Sequence, residues 1–443
     1  MLLDIPFQQF AYPTVAPISS NQTTGRKIFI ATFGSLGDLH PYLALGAALR
    51  GRGHQVTVGT LGSYREKISA MGLGFCAIRP DIADFGTDPD MIKKAMDLRT
   101  GTQFLLRTMI LPHLEAGYHD LLAGTQDTDF LISHPATFAA PIVATQRKIL
   151  WAASSLAPLT MSSAFDPPLI ASALWLRYFQ AMGPTANRLL MKLFFQQTKS
   201  WIEPIVALRK KAGVTGLGHP FLDGQFSPYL NLALFSPRFG PPQPDWPEHT
   251  IATGFLFMHS STASVPLDPE LEAFLAAGDA PIVFTLGSTA VMAPDDFFSQ
   301  AAGACRSLGL RAVLLAGPHG NNSANSSTNV YVCQYAPHAA IFKRAAAIVH
   351  QCGVGTTAEA LRAGKPMLAV PFSHDQPDNA HRLEKLGVGF MLPRGKFTTR
   401  RAAKYLRKLL ADSAIAARAA KLGGEIQRED GVNTACDAIE KVL

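Results

Sequence analysis

Cysteine is scarce in this chain. Five residues in 443, Cys76, Cys305, Cys333, Cys352 and Cys436, are odd in number, widely spread and without a C-x-x-C spacing. That pattern argues against a structural zinc site and for a reducing compartment, so a cytoplasmic location is expected. Long apolar runs are missing as well. The longest of interest, Pro168–Leu176, has nine residues and stops at Arg177, whereas a membrane span needs roughly 20. Residues 1–26 have no basic start ahead of an apolar block and do not read as a secretory signal. With Pro6, Pro13, Pro17 and a polar run from Ser19 to Thr24, they read as a flexible extension. A G-x-S-x-G elbow is absent, and so is any interleaved basic and aromatic pattern, which removes the usual serine-hydrolase and RNA-binding readings. The first strand-turn-helix lacks the full G-x-G-x-x-G. The second strand ends in Val58-Gly59-Thr60 where a ribose-binding acid would be needed, so a nicotinamide oxidoreductase is not expected.

What is present is apolar and alternating. Hydrophobic residues make up 47% of the chain and charged residues 16%, enough for two or three well-cored domains. A strand over Lys27–Phe33, a turn through Gly34–Pro41, a helix over Tyr42–Arg50 and a strand over Gln55–Thr60 form a βαβ opening, which implies a parallel sheet. Further strands are expected at Phe75–Ile78, Phe130–Ser133 and Ile149–Ala153, with a helical stretch over Met91–Ala123. Residues 165–212 are helix-rich and aromatic. Five prolines in 237–250 mark a stiff linker, placed at 238–252. Strands then follow at Ile282–Leu286, Ala312–Ala316, Val330–Gln334, Ile348–His350, Met367–Val370 and Val388–Leu392, and a final helix over about 413–443. The domains are thus 27–237 and 253–443, joined by that linker.

The net charge is +7, and Arg177–Lys211 holds seven basic residues against one acid, Glu203. Contact with an anionic membrane surface or acceptor is one reading; a solvated helix face is the commoner one. Asp127-Thr128-Asp129 precedes a strand and reads as a turn, and His113 and His119 are badly spaced for a shared metal, so no metal is expected.

The most informative stretch is Ala347–Asn379. An apolar strand leads into Cys352-Gly353-Val354-Gly355, and a helix opens on Thr356 and Thr357 and stops at Gly364, with Pro366 beyond. Free amides and the positive dipole end at such a helix start suit an anion such as a pyrophosphate. Met367–Phe372 is a buried strand, and His374-Asp375-Gln376 follows at the edge where open α/β sheets bind ligands. By position alone, Asp38, after the first strand, is a helix N-cap or a proton acceptor.

This stretch, with Tyr335-Ala336-Pro337-His338 before it and Asn379 after it, resembles the donor-site signature of family-1 glycosyltransferases. The likeness extends from about Lys27 to most of the chain, and includes bacterial rhamnosyltransferases and sterol glucosyltransferase-like enzymes. It implies a GT-B fold: α/β, two Rossmann-like doubly wound parallel-sheet domains facing across a cleft. It implies inverting, metal-independent sugar transfer from a nucleotide-diphosphate donor, UDP-glucose or a dTDP-deoxysugar such as dTDP-rhamnose, to a hydroxyl on an apolar acceptor, and no cofactor. In that resemblance Asp38 is the base and His40 the fallback. Tyr335 stacks on the nucleobase where relatives have Trp, with His338 beside it, and Glu359 accepts from ribose hydroxyls. Ser288, Gly353, Gly355, Thr356 and Thr357 hold the phosphates, and Asp375 and Gln376 bind the sugar. Relatives place a His where Gln351 stands, while His350 lies one residue earlier. Neighbours in a strand face opposite ways, so one of the two reaches the diphosphate. Phe165, Trp175 and Phe179 are the candidate acceptor wall. A nucleotide-sugar epimerase and a non-catalytic nucleotide-binding partner share the fold and remain as alternatives, and a monomer or homodimer is expected.

Overall fold

In a computed structural model, residues 25–81, 88–178, 180–258, 267–317 and 327–443 are described. Residues 1–24 of the N-terminal extension, Phe179 and residues 318–326 lie outside the described residues. Two parallel sheets make the frame. The first contains β1 (Lys27–Ala31), β2 (Gln55–Thr60), β3 (Gly74–Ala77), β4 (Phe130–Ser133), β5 (Leu150–Ser155), β6 (Leu230–Ala233) and β7 (Thr250–Ala252), in the order β3-β2-β1-β4-β5-β6-β7. The second contains β8 (Ile282–Thr285), β9 (Ala312–Leu315), β10 (Val330–Cys333), β11 (Ala347–His350), β12 (Met367–Ala369) and β13 (Gly389–Met391), in the order β10-β9-β8-β11-β12-β13. Central strands such as β8 and β11 are buried along their whole length, as continuous apolar runs in parallel sheets must be.

In each sheet the order reverses once, between β1 and β4 and between β8 and β11. Chain segments leaving these neighbouring strands diverge to opposite faces and open a crevice at the carboxyl edge. The two crevices face each other. A Cβ built on Gly355, beyond β11, would lie 3.3 Å from Gly37 Cα beyond β1.

Several element boundaries differ from the sequence reading. The first helix runs from Leu36 to Gly51, so most of the expected turn through Pro41 is helical. Ser35 is the N-cap, and Asp38 is the N3 partner of a capping box rather than the cap itself. Pro41 sits inside this helix, and lacking an N–H it leaves the Gly37 carbonyl without its i+4 donor. The helical stretch after Met91 is broken into Pro89–Ala95, Gly101–Phe104, a π-helical turn at Leu105–Ile110, a 3-10 turn at Leu111–His113 and Leu114–Gly124. Thr250–Ala252, inside the expected linker, is the edge strand of the first sheet, so the first lobe extends past residue 237. The final helix is two helices, Ser413–Ile426 and Gly431–Glu440. The last one returns to the first lobe: Arg52 pairs with Asp437 and Glu440, and Cys436 and Ile439 share a core with Leu39, Leu43 and Leu49.

Candidate active site

Asp38 lies at the switch point of the first sheet and is partly exposed, 33% by side chain. Its Oδ2 accepts from the Ser35 amide at 2.8 Å and the Ser35 hydroxyl at 3.1 Å. Its Oδ1 is 3.8 Å from Nε2 of His134, the residue after β4, the next strand across the switch. Gly34 has φ +134°, and any Cβ there would collide with the Asp38 carboxylate, so only glycine lets that carboxylate fold over the strand end. His134 stands edge-on to Tyr42, whose hydroxyl is 2.7 Å from Ser154 Oγ. Burial, partly opposed by Asp38, pulls the His134 imidazole below its usual range. His40 instead stands 3.2 Å from Lys67 Nζ.

The facing edge belongs to the second sheet. The helix Val354–Ala363 has Gly353 as N-cap and ends at Gly364 in the left-handed conformation, as its sequence implies. Gln351 lies under this turn. A Cβ on Gly287 would collide with Gln351 Nε2 and lie 3.4 Å from Thr356 Oγ1, while one on Gly353 would lie 3.1 Å from Gln351 Nε2. Ser288 is exposed next to that glycine. His350 points the other way. It is fully buried, its Nδ1 accepts the Cys352 amide at 3.2 Å, and burial, then His338, holds its imidazole down at about 3. A neutral, enclosed His350 offers no cation to a diphosphate, whereas Gln351 has an amide at the turn. Gln351 Oε1, Thr357 Oγ1, His350 Nε2 and Asn379 Oδ1 are buried with no hydrogen-bond partner among the described residues. Buried polar atoms are normally paired, so Gln351, Thr357 and Asn379, at the turn, keep capacity to engage a polar ligand.

Around the turn stand the other residues singled out in the sequence. Tyr335, beyond β10, is 72% exposed. Desolvation and then the Glu359 carboxylate raise its phenol pKa. Glu359 Oε2 accepts from Arg362 at 2.7 Å, and that buried guanidinium lies 3.8 Å over Phe257. His338 opens the helix His338–Arg344 and stacks on Phe342; burial, then His40 across the cleft, depresses it to about 4. Asp375 accepts from Asn379 Nδ2 at 2.7 Å, and Asn379 also donates to the Cys352 carbonyl at 2.9 Å, tying the turn at Asp375 to the turn at Cys352. Burial and then Asp38 push the Asp375 carboxyl up to about 7. Gln376 spends its carbonyl on the Phe372 and Ser373 amides at 2.9 and 3.3 Å, which leaves its amide nitrogen as the group able to donate.

The acceptor-wall candidates are less settled into the site. Phe165 is 46% and Trp175 56% exposed. Their segment is fastened to the second lobe: Arg382 bridges Asp166 and Asp378, and the Leu169 amide donates to Asp378 at 2.8 Å. Thr102 Oγ1 meets His374 Nδ1 at 3.1 Å on the other flank. His134, Asp166 and Arg382 are not among the residues the sequence singles out, while His374 stands beside the turn where the sequence places it. For His134 a signal existed, since it directly follows the strand beside β1. Asp127 and Asp129 tie down Lys27 at the start of β1, in keeping with a turn.

Opposed switch points, an amide-lined turn on one side and a carboxylate on the other define a two-lobed sugar-nucleotide enzyme of the GT-B type. Residues 28–165 match the glycosyltransferase family 28 N-terminal domain, and residues 312–432 match the erythromycin biosynthesis protein CIII-like C-terminal domain. The chain is 30% identical to O-mycaminosyltylonolide 6-deoxyallosyltransferase of Streptomyces fradiae, over 94% of this chain and 97% of that one. It is 27% identical to sterol 3-beta-glucosyltransferase of Eremothecium gossypii over 95% of this chain, spanning about a third, 34%, of that longer protein. In fold it matches the crystal structure of the calicheamicin glycosyltransferase CalG4 with a TM-score of 0.71 at 20% identity, over 95% of this chain and 98% of that one. The chain belongs to the sugar-nucleotide-dependent glycosyltransferases of the GT-B fold.

Proposed function

We propose that this enzyme transfers a hexose or 6-deoxyhexose from a nucleoside diphosphate to a hydroxyl of an apolar acceptor, with inversion and without a metal. The carrying observation is that the end of the first strand, with Asp38, stands against the Gly353–Thr357 turn: a Cβ on Gly355 would lie 3.3 Å from Gly37 Cα, the residue before Asp38. Asp38 takes the acceptor proton as the hydroxyl oxygen bonds to the anomeric carbon. The bond from that carbon to the diphosphate oxygen breaks on the opposite face, so an α-linked donor gives a β-linked product. The helix amides, Thr356 and the Gln351 amide stabilise the departing charge. Tyr335 offers a bare ring to the base and Glu359 a carboxylate to the ribose.

For the donor, UDP-glucose accords with the glucosyl transfer named for the sterol relatives. A dTDP-6-deoxyhexose accords with the deoxyallosyl transfer named for the nearly full-length relative. The acceptor named is O-mycaminosyltylonolide for the one relative and a sterol for the other. The test is Asp38→Asn and Asp38→Ala assayed with both donors, with and without acceptor, and in EDTA. Transfer is expected to fall by about 10²–10⁴-fold, the usual worth of a general base, with nucleotide affinity kept and no EDTA effect. Near-full transfer in a folded variant removes Asp38 as base. Donor turnover without acceptor favours an epimerase.

A further inference from the structure

The large apolar side chains exposed on this protein are not scattered. Of nine among the described residues, seven fall in one segment: Phe165, Trp175, Tyr178, Met182, Leu189, Leu193 and Val206. Single exposed apolar residues are ordinary, whereas a concentration of them marks an interaction surface. The helix Pro184–Gln197 shows how the segment is built. Its Asn187 faces inward, 4% exposed, and donates to the Ala164 and Gln180 carbonyls at 3.0 and 3.1 Å. That anchorage turns Leu189 and Leu193, one turn apart, outward at 60% and 49% exposure. The helix therefore presents leucines to the outside and a polar residue to the body of the protein. Gln180, which Asn187 grips, also meets His381 Nε2 at 3.1 Å, so the face is braced against the second lobe.

Charge says what covers it. Arg188 and Lys192 lie beside the two leucines on the same helix, Arg177 and Lys199 flank it, and Glu203 is the one acid between 177 and 211. Arg177 is held over the Tyr178 ring at 4.7 Å. Leucines and aromatics rimmed by cations, on a chain of net charge +7, match a surface with an anionic outer layer and an apolar interior. We propose that the 175–199 face docks peripherally on an anionic lipid bilayer, with Leu189 and Leu193 seated among the acyl chains and Arg188 and Lys192 at the headgroups. No helix among the described residues is long and apolar enough to cross a membrane, so the contact is one of surface seating.

The full chain is sedimented with vesicles of phosphatidylcholine alone and with vesicles containing a third phosphatidylglycerol, at low and high salt. Binding to the anionic vesicles, weakened by salt, is expected. Leu189→Ser with Leu193→Ser, and separately Arg188→Gln with Lys192→Gln, should each lower partitioning about tenfold or more, given the worth of buried apolar groups and of each interfacial cation. Binding of UDP or dTDP, read by calorimetry on the same preparations, should not change, because none of the four is among the residues placed around the Gly353–Thr357 turn. Equal binding to neutral and anionic vesicles, or unchanged binding in both double variants, overturns the proposal. So does a wild-type chain that ignores vesicles and forms a dimer which the leucine variant converts to monomer.

Discussion

Asp375 is a carboxyl whose surroundings disfavour its charged form. Burial and the facing Asp38 hold its carboxyl near 7 instead of the ordinary 3.8. A folded-state pKa raised above the unfolded value favours folding at low pH, and that stabilisation is lost as pH rises from about 4 through 7. Asp375→Asn keeps an oxygen for Asn379 and removes the charge. Thermal unfolding should show the variant more stable at pH 8 by about 2–4 kcal/mol, taking 1.4 kcal/mol per unit, and nearly equal to wild type at pH 4. Sugar transfer should fall throughout. A variant no more stable at pH 8 than at pH 4 would show that Asp375 is not strained by its charge. His350 and Gln351 illustrate what the sequence could and could not tell at this scale. Alternation in a strand said that one of them faces the turn. Which one depended on the Cys352 amide, donated to His350 Nδ1, and that bond exists only in the fold.

The first helix shows how an element can be legible in kind and wrong in extent. Gly34, Gly37 and Pro41 suggested a turn, yet helix begins at Leu36 because Ser35 and Asp38 satisfy each other's groups across its first turn. The same bonds aim the Asp38 carboxylate. Ser35→Ala should cost about 1 kcal/mol of stability, the usual loss for a cap. It should also lower kcat with nucleotide affinity unchanged, measured by calorimetry. A stability loss with unaltered kcat would make the cap purely structural. The strands of the second sheet were readable to within about a residue at most ends, since each is a short apolar run set between turn residues. β7 was hidden because its prolines-before-strand composition reads as linker, and its three residues gain strand character only by pairing with β6.

At the level of the whole molecule, the signature near the C-terminus was legible because its residues are close in sequence. The interlobe fastening was not, because its partners are remote. Arg382 and Asp166 lie 216 residues apart. Arg382 is 5% and Asp378 1% exposed, so the guanidinium neutralises two carboxylates at the lobe interface. Removing one member of such a group strands the others. Arg382→Met is expected to destabilise the protein by about 3–5 kcal/mol, visible as an early melting transition. Asp166→Asn, which relieves part of the strain, should recover some of that loss in the double variant. Additive losses would contradict the coupling.

The central claim concerns where the diphosphate sits, and it is tested most directly by a crystal structure with UDP or dTDP bound. The account predicts phosphate oxygens about 3 Å from the Gly353–Thr357 amides and the Gln351 side chain, with Tyr335 against the base and Asp38 facing the vacated sugar side. Phosphates held anywhere else, or contacted by His350 in place of Gln351, would contradict it.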